Sequence, residues 1–158
     1  LFRSVVANDS RIHEAILFGY YGKHINVMND RYVYMRCARE NTCLYEYTLM
    51  PAHMASMFSK DELRSADRML YDGFAWNGNV PVLRIPGNTS HLPERSHVKY
   101  DEHMQYGDLL FDLGNDPAQE KNLSDRPDLV RMMEADLVKM MQESEAPAEQ
   151  YVRMGLTV

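Results

Sequence analysis

In the run Gly19-Tyr20-Tyr21-Gly22-Lys23-His24, a cation, an imidazole and two phenols fall within six residues. A lysine ammonium beside a histidine can hold an oxyanion such as a sulfate group or a sugar carboxylate. The two glycines make backbone bends cheap and let a ligand come close. Tyr20 and Tyr21 can stack on a sugar ring, although core packing is the simpler use for at least one of them. Lys23, His24 and Tyr21 are therefore the candidate substrate-binding residues. The competing reading is the solvated start of a strand.

Other groups are weaker candidates. His91, His97 and His103 recur every six residues, among Glu94, Asp101 and Glu102. Imidazole and carboxylate suit zinc. Six-residue spacing matches no compact ligand motif, however, and the polar loop 86–106 offers no element to fix a geometry, so no metal site is assigned. Asp112 and Asp116 could suggest calcium, yet strand-end and capping roles explain both more simply. Cys37 and Cys43 flank a polar turn, and both a disulfide and two free thiols fit that placement. Asn88-Thr89-Ser90 and Asn122-Leu123-Ser124 match the glycosylation acceptor, which matters only in a host that glycosylates.

The elements that must position these residues follow from patterning. Residues 15–22, 24–29 and 31–37 alternate branched and aromatic side chains around Asn29-Asp30, which reads as a hairpin. Asn and Asp suit its turn because both tolerate positive φ and can bond their own backbone. Residues 43–49 (CLYEYTL) extend the series into an antiparallel meander. A helix starts at Ser59, where Ser59 and Glu62 fit a capping box; Leu63, Ala66 and Leu70 carry its buried stripe, and Asp72-Gly73 stops it. Residues 80–85 form a short strand, where Pro81 restricts it to an edge or a first residue. The loop 86–106 follows, long enough to be functional or loosely ordered.

Residues 109–113 (LLFDL) form another strand, and Asp116-Pro117 opens a helical turn. The main helix is capped by Ser124 or Asp125, with Pro127 in its first turn. It buries Leu129, Met133, Leu137 and Met140, reinforced by Val130 and Met141, and points Arg131, Glu134, Lys139 and Glu143 away. It should lie on the meander. A last short helix runs over 150–154.

The 158 residues suit one domain, and the twelve methionines read as flexible core filler. A net charge of −6 with no basic block argues against nucleic acid as a partner. No apolar run approaches the roughly 20 residues that span a bilayer, so no membrane is expected either. The chain begins at Leu1, which reads as a fragment of a longer protein. Cytoplasmic and exported settings both stay open.

Two blocks together resemble the C-terminal part of a formylglycine-dependent sulfatase, of the alkaline-phosphatase-like superfamily. The first is GYYGKHINVMNDRYVYMR with LYEYTLMP after it. The second is LLFDLGNDPAQEKNL followed by an amphipathic helix and APAEQYVRMGL. Phe111-Asp112-Leu113 fills the family's aromatic-Asp-Leu strand. Asp116, Pro117, Asn122 and Leu123 fill its Asp-Pro-x-Glu-x-x-Asn-Leu motif, with Gln119 in the Glu position. Asn29-Asp30 replaces the usual Asp-Gly turn.

The resemblance implies an α+β fold, a sheet of about four antiparallel strands with a long helix packed on it. It implies a partner in the N-terminal catalytic domain of the same protein, and a sulfated small molecule or sugar as substrate. Calcium and formylglycine would belong to the full-length protein, with no cofactor in this part. No Cys/Ser-x-Pro/Ala-x-Arg nucleophile motif occurs here, and neither cysteine fits one, so this chain alone should be inactive. The loop 86–106 would pack on the catalytic domain or reach its pocket. The same end of the chain is similar in phosphonate monoester and phosphodiester hydrolases, and a non-catalytic interaction or oligomerisation module, or a homo-oligomer, is the other reading.

Overall fold

The computed structural model describes residues 2–8, 12–39, 44–50, 52, 57–65, 70–86 and 102–157. In chain order they form α1 (Phe2–Asn8), β1 (Ile16–Gly19), β2 (Ile25–Met28), β3 (Tyr32–Arg36), β4 (Tyr45–Thr48), α2 (Lys60–Ser65), β5 (Leu70–Tyr71), a 3-10 turn (Ala75–Asn77), β6 (Val82–Pro86), a second 3-10 turn (Glu102–Tyr106), β7 (Leu109–Asp112), α3 (Pro127–Glu143) and α4 (Ala148–Met154). The architecture is α+β, with two antiparallel sheets ordered β1-β2-β3-β7 and β4-β6-β5.

The first sheet is built on one row of side chains. Leu17 pairs with Val27, Val27 with Tyr34, and Tyr34 with Leu110. Alternate residues of a strand share a face, so this row turns together toward α3. Met133, Leu137 and Met141 meet it at helical spacing, and all three are buried. Burying each such side chain stabilises the fold by about 2 kcal/mol. The expected sheet of four strands under a long helix is therefore present.

Its fourth strand is a different one from the meander's. The reading of residues 43–49 as the next strand of the series is corrected, because β4 pairs with β6 in the second sheet and β7 takes the place beside β3. The strand beneath α3 needs an aliphatic side chain opposite Tyr34. Leu110 supplies one, whereas Tyr45-Glu46-Tyr47-Thr48 has none.

Three further expectations change. The middle helix ends at Ser65, and Leu70-Tyr71 pairs with Leu83 and Val82 instead of continuing it. Leu63 and Leu70, expected in a buried stripe, are exposed; Ala66 lies outside the described residues. Pro81 does precede a strand, ahead of the ladder where its missing N–H costs nothing, but β6 is the centre of its sheet and not an edge. Asp116-Pro117 opens a tight turn closed by Gln119 N–H on the Asp116 carbonyl at 3.0 Å, with Gln119 at φ 56, not a helical turn.

α3 begins on Arg126, with Pro127 at its first position and no side-chain cap, so neither Ser124 nor Asp125 caps it. Asn122 is used instead. Its Oδ1 accepts from Leu110 N at 2.9 Å and Ser124 N at 3.0 Å, tying the connection back to β7.

The Asn29-Asp30 turn works through its side chain, without positive φ at either residue. Asn29 Oδ1 accepts from Tyr32 N at 2.8 Å and Arg31 N at 3.0 Å, while its amide donates to Asp136 on α3 at 3.0 Å. One residue thus closes the hairpin and fastens it to the helix.

Candidate functional site

The turn carrying the candidate residues is tight and pinned from three sides. Lys23 N–H closes it on the Tyr20 carbonyl at 2.9 Å. Gly22 sits at φ 73 in its third position, where type II turns need glycine. At Gly19 a Cβ would lie 2.9 Å from the His24 carbonyl, so only glycine fits.

His24 Nε2–H donates to the Gly107 carbonyl at 2.8 Å, joining the turn to the end of the long loop. Tyr21 OH donates to Glu46 of β4 at 3.3 Å. Tyr20 is 73% and Tyr21 47% exposed, which corrects the reading that one of them packs in the core. Lys23 is half-buried. The structure therefore keeps Tyr21, Lys23 and His24 together on one turn.

Beneath the turn lies a cluster that sequence reasoning missed. Arg36 ends β3 on the same face as Tyr32 and Tyr34, and is buried. Its Nη1 reaches Glu134 at 2.5 Å, Tyr34 OH at 2.9 Å and Asp108 at 3.0 Å. Its Nε and Nη2 donate to the carbonyls of Met154 and Gly155 at 2.8 and 3.1 Å. Asp108 also accepts from Cys37 N at 2.8 Å and Arg39 Nη2 at 3.3 Å. Glu134, expected to point away from the core, instead turns inward because Arg36 is there to pair with it.

Arg153 of α4 completes the corner. It is 5% exposed, and its Nη2 donates to the carbonyls of Gly22 and Lys23 at 2.8 and 3.2 Å. Arg39 N–H returns to the Arg153 carbonyl at 2.8 Å. The strand β3, the loop before β7, α3, α4 and the Tyr20–Lys23 turn thus converge on one polar cluster.

Protonation follows from burial and neighbours. Burial pushes the Tyr34 phenol up to about 12, so its hydroxyl stays neutral. Burial pulls the Arg36 guanidinium down, but Tyr34, Asp108 and Glu134 outweigh it and the net shift is upward. Cys37 is a free buried thiol whose pKa burial raises, which disfavours the thiolate a nucleophile needs. The corner thus combines the Arg36 and Arg39 guanidinium groups, the Asp108 and Glu134 carboxylates and a neutral Tyr34 hydroxyl in one ion-pair network.

The weaker candidates are placed as follows. His91, His97, Glu94, Asp101, Cys43 and the acceptor at Asn88 lie outside the described residues. The side chains of Glu102 and His103 do as well. Among the described residues, no three His, Cys, Asp or Glu side chains gather as metal ligands. Asp112 is taken by the Arg31 guanidinium at 2.8 Å and by Gly114 and Asn115, and the Arg31 bond holds its carboxyl down at about 2. Asp116 accepts from Glu120 N and Lys121 N at 3.1 and 2.8 Å. One signal could have found the cluster: Tyr32-x-Tyr34-x-Arg36 puts a charge on the strand face that must be buried.

No family model, curated protein or solved structure matches this chain.

Proposed function

We propose that this chain is the C-terminal part of a sulfatase, where it completes one wall of the substrate pocket and supports a catalytic domain. The observation that carries the reading is the meeting of its two family-like blocks. They lie more than fifty residues apart in the chain, yet β3 of the first pairs with β7 of the second, and Arg31 of the first clasps Asp112 of the second. The Tyr20–Lys23 turn is the edge offered to substrate, with Lys23 and His24 toward the anion and Tyr21 beside the sugar. The nucleophile, formylglycine and calcium belong to the catalytic domain. No sulfate ester is cleaved by the residues described above.

The test has two arms. Sequencing upstream of the Leu1 codon should show roughly 300 residues of a large α/β unit, with a Cys/Ser-x-Pro/Ala-x-Arg motif. The protein so encoded should hydrolyse an aryl sulfate, and the 158-residue chain should not. An initiator methionine directly before Leu1, or turnover by the chain alone, overturns the proposal.

A further inference from the structure

The chain has a single tryptophan, and it stands on the surface. Trp76 lies in the 3-10 turn between β5 and β6 and is 72% exposed. It is nevertheless held in place. One face of its indole stacks on buried Phe74, with centroids 5.1 Å apart, so the other face is the one left to solvent. Phe74 in turn meets Tyr71 and Tyr47 at 5.0 and 5.5 Å. The backbone is tied as well. Phe74 N–H donates to Asn77 Oδ1 at 3.1 Å, and the Phe74 carbonyl accepts from Asn77 N and Asn79 N at 3.1 and 2.9 Å. Ala75 N–H donates to Glu145, just beyond α3, at 2.6 Å, and Tyr47 OH donates to Glu149 of α4. At Gly73, with φ 93, a Cβ would lie 2.5 Å from the Val80 carbonyl oxygen, so the loop closes on itself only with glycine there.

Beside this platform is an open cleft of about 260 Å³, lined by Leu70, Tyr71, Asp72, Gly73 and Arg84. Tyr71 belongs both to the cleft wall and to the ring cluster that carries Trp76. The Arg84 guanidinium is steadied over the Tyr45 ring at 4.6 Å. A carboxylate and a guanidinium fork therefore stand at fixed places next to an aromatic surface.

We infer that this corner is a carbohydrate-binding site, which takes one sugar ring on the free face of Trp76 and the hydroxyls of the next in the cleft. A pyranose shows C–H bonds on its faces and hydroxyls around its rim. The C–H face suits the negative face of an indole. A rim hydroxyl can donate to Asp72 and its neighbour can accept from Arg84, and such bonds to charged groups are the strong ones. An apolar surface with a few fixed polar groups is the usual form of a small-molecule site. A nucleic-acid base could use the same ring, but a net charge of −6 repels its phosphates. The inference rests on the second sheet and its loop, not on the sulfatase reading.

The test uses intrinsic fluorescence, since the one tryptophan is at the site. The 158-residue chain is titrated with maltose, cellobiose, lactose and N,N′-diacetylchitobiose, with glycerol and adenosine as controls. At least one disaccharide should shift the emission to the blue and saturate, and the controls should not. D72A, at an exposed loop position, should weaken that binding by roughly tenfold, the scale of a lost hydrogen bond to a charged group. W76A is followed by thermal unfolding: the same disaccharide should raise the wild-type midpoint saturably, as a ligand of the folded state does, and leave that of W76A unchanged. The inference is overturned if no disaccharide shifts the emission, if D72A binds as tightly as wild type, or if adenosine acts like the sugars. It is also overturned if dilution alone moves the emission to the red, which would make Trp76 a contact between copies of the chain. Saccharide binding that depends on Trp76 and Asp72 supports the site whether or not any sulfate ester is cleaved, and its absence leaves the sulfatase reading standing.

Discussion

Replacing Asp108 with alanine removes four contacts at once: Cys37 N at 2.8 Å, Arg36 Nη1 at 3.0 Å, Arg39 Nη2 at 3.3 Å and Tyr34 OH at 3.4 Å. Breaking a buried pair from one side costs about 3–5 kcal/mol, because the other charge is stranded. Arg36 is not wholly stranded, since Glu134 and two carbonyls remain, so the lower end applies. Arg39 is exposed and adds little. The expected loss is about 3 kcal/mol. For a chain of this size that lowers Tm by roughly 6–12 °C. Urea unfolding followed by circular dichroism measures it, with an unchanged denaturant slope as the sign that the folded state is intact. Adding R36M to D108A removes the stranded charge, so the double mutant should recover at least about 1 kcal/mol relative to the sum of the singles. A cost under about 0.5 kcal/mol for D108A, or strict additivity, would refute the buried-cluster reasoning.

Burial holds Tyr34 un-ionised up to about 12, above the ordinary tyrosine value, so its contribution is complete below about pH 10 and is lost as pH rises through 12. Two pKa steps correspond to about 3 kcal/mol, and a Y34F chain unfolded across that range should show a clearly smaller alkaline loss. Asp112 has the opposite sign: held at about 2 by Arg31, it stabilises above the unfolded value and that contribution disappears between about pH 4 and 2, so D112N should flatten the acid limb of a stability curve. L137A empties a fully buried site under α3 and should cost about 2–5 kcal/mol by urea titration. N29A leaves two turn amides and Asp136 without their partner and should cost about 1–2 kcal/mol by the same measurement.

Patterns repeated locally were legible in the chain itself. Period-two alternation marked β1 to β3, and the 3.6 spacing of Leu129, Met133 and Leu137 marked α3 together with the face it buries, because one side of each element must leave water. Glycines and an Asn-Asp pair placed the turns. The same local logic extended the middle helix too far, since nothing near Leu70 reveals that Val82 and Leu83 will pair with it.

The sequence by itself determined the hairpin, the long helix and the Tyr21-Lys23-His24 turn, since each depends on neighbours a few residues away. Tertiary structure alone decided that β7, not β4, lies beside β3, because strand partners are chosen by a side-chain row that closes only when Leu110 meets Tyr34. It alone decided that Glu134 turns inward and that Arg153 reaches the turn 130 residues before it. A charged residue reads as surface until the fold shows where its partner stands, and for Arg153 the fold supplies the carbonyls of Gly22 and Lys23.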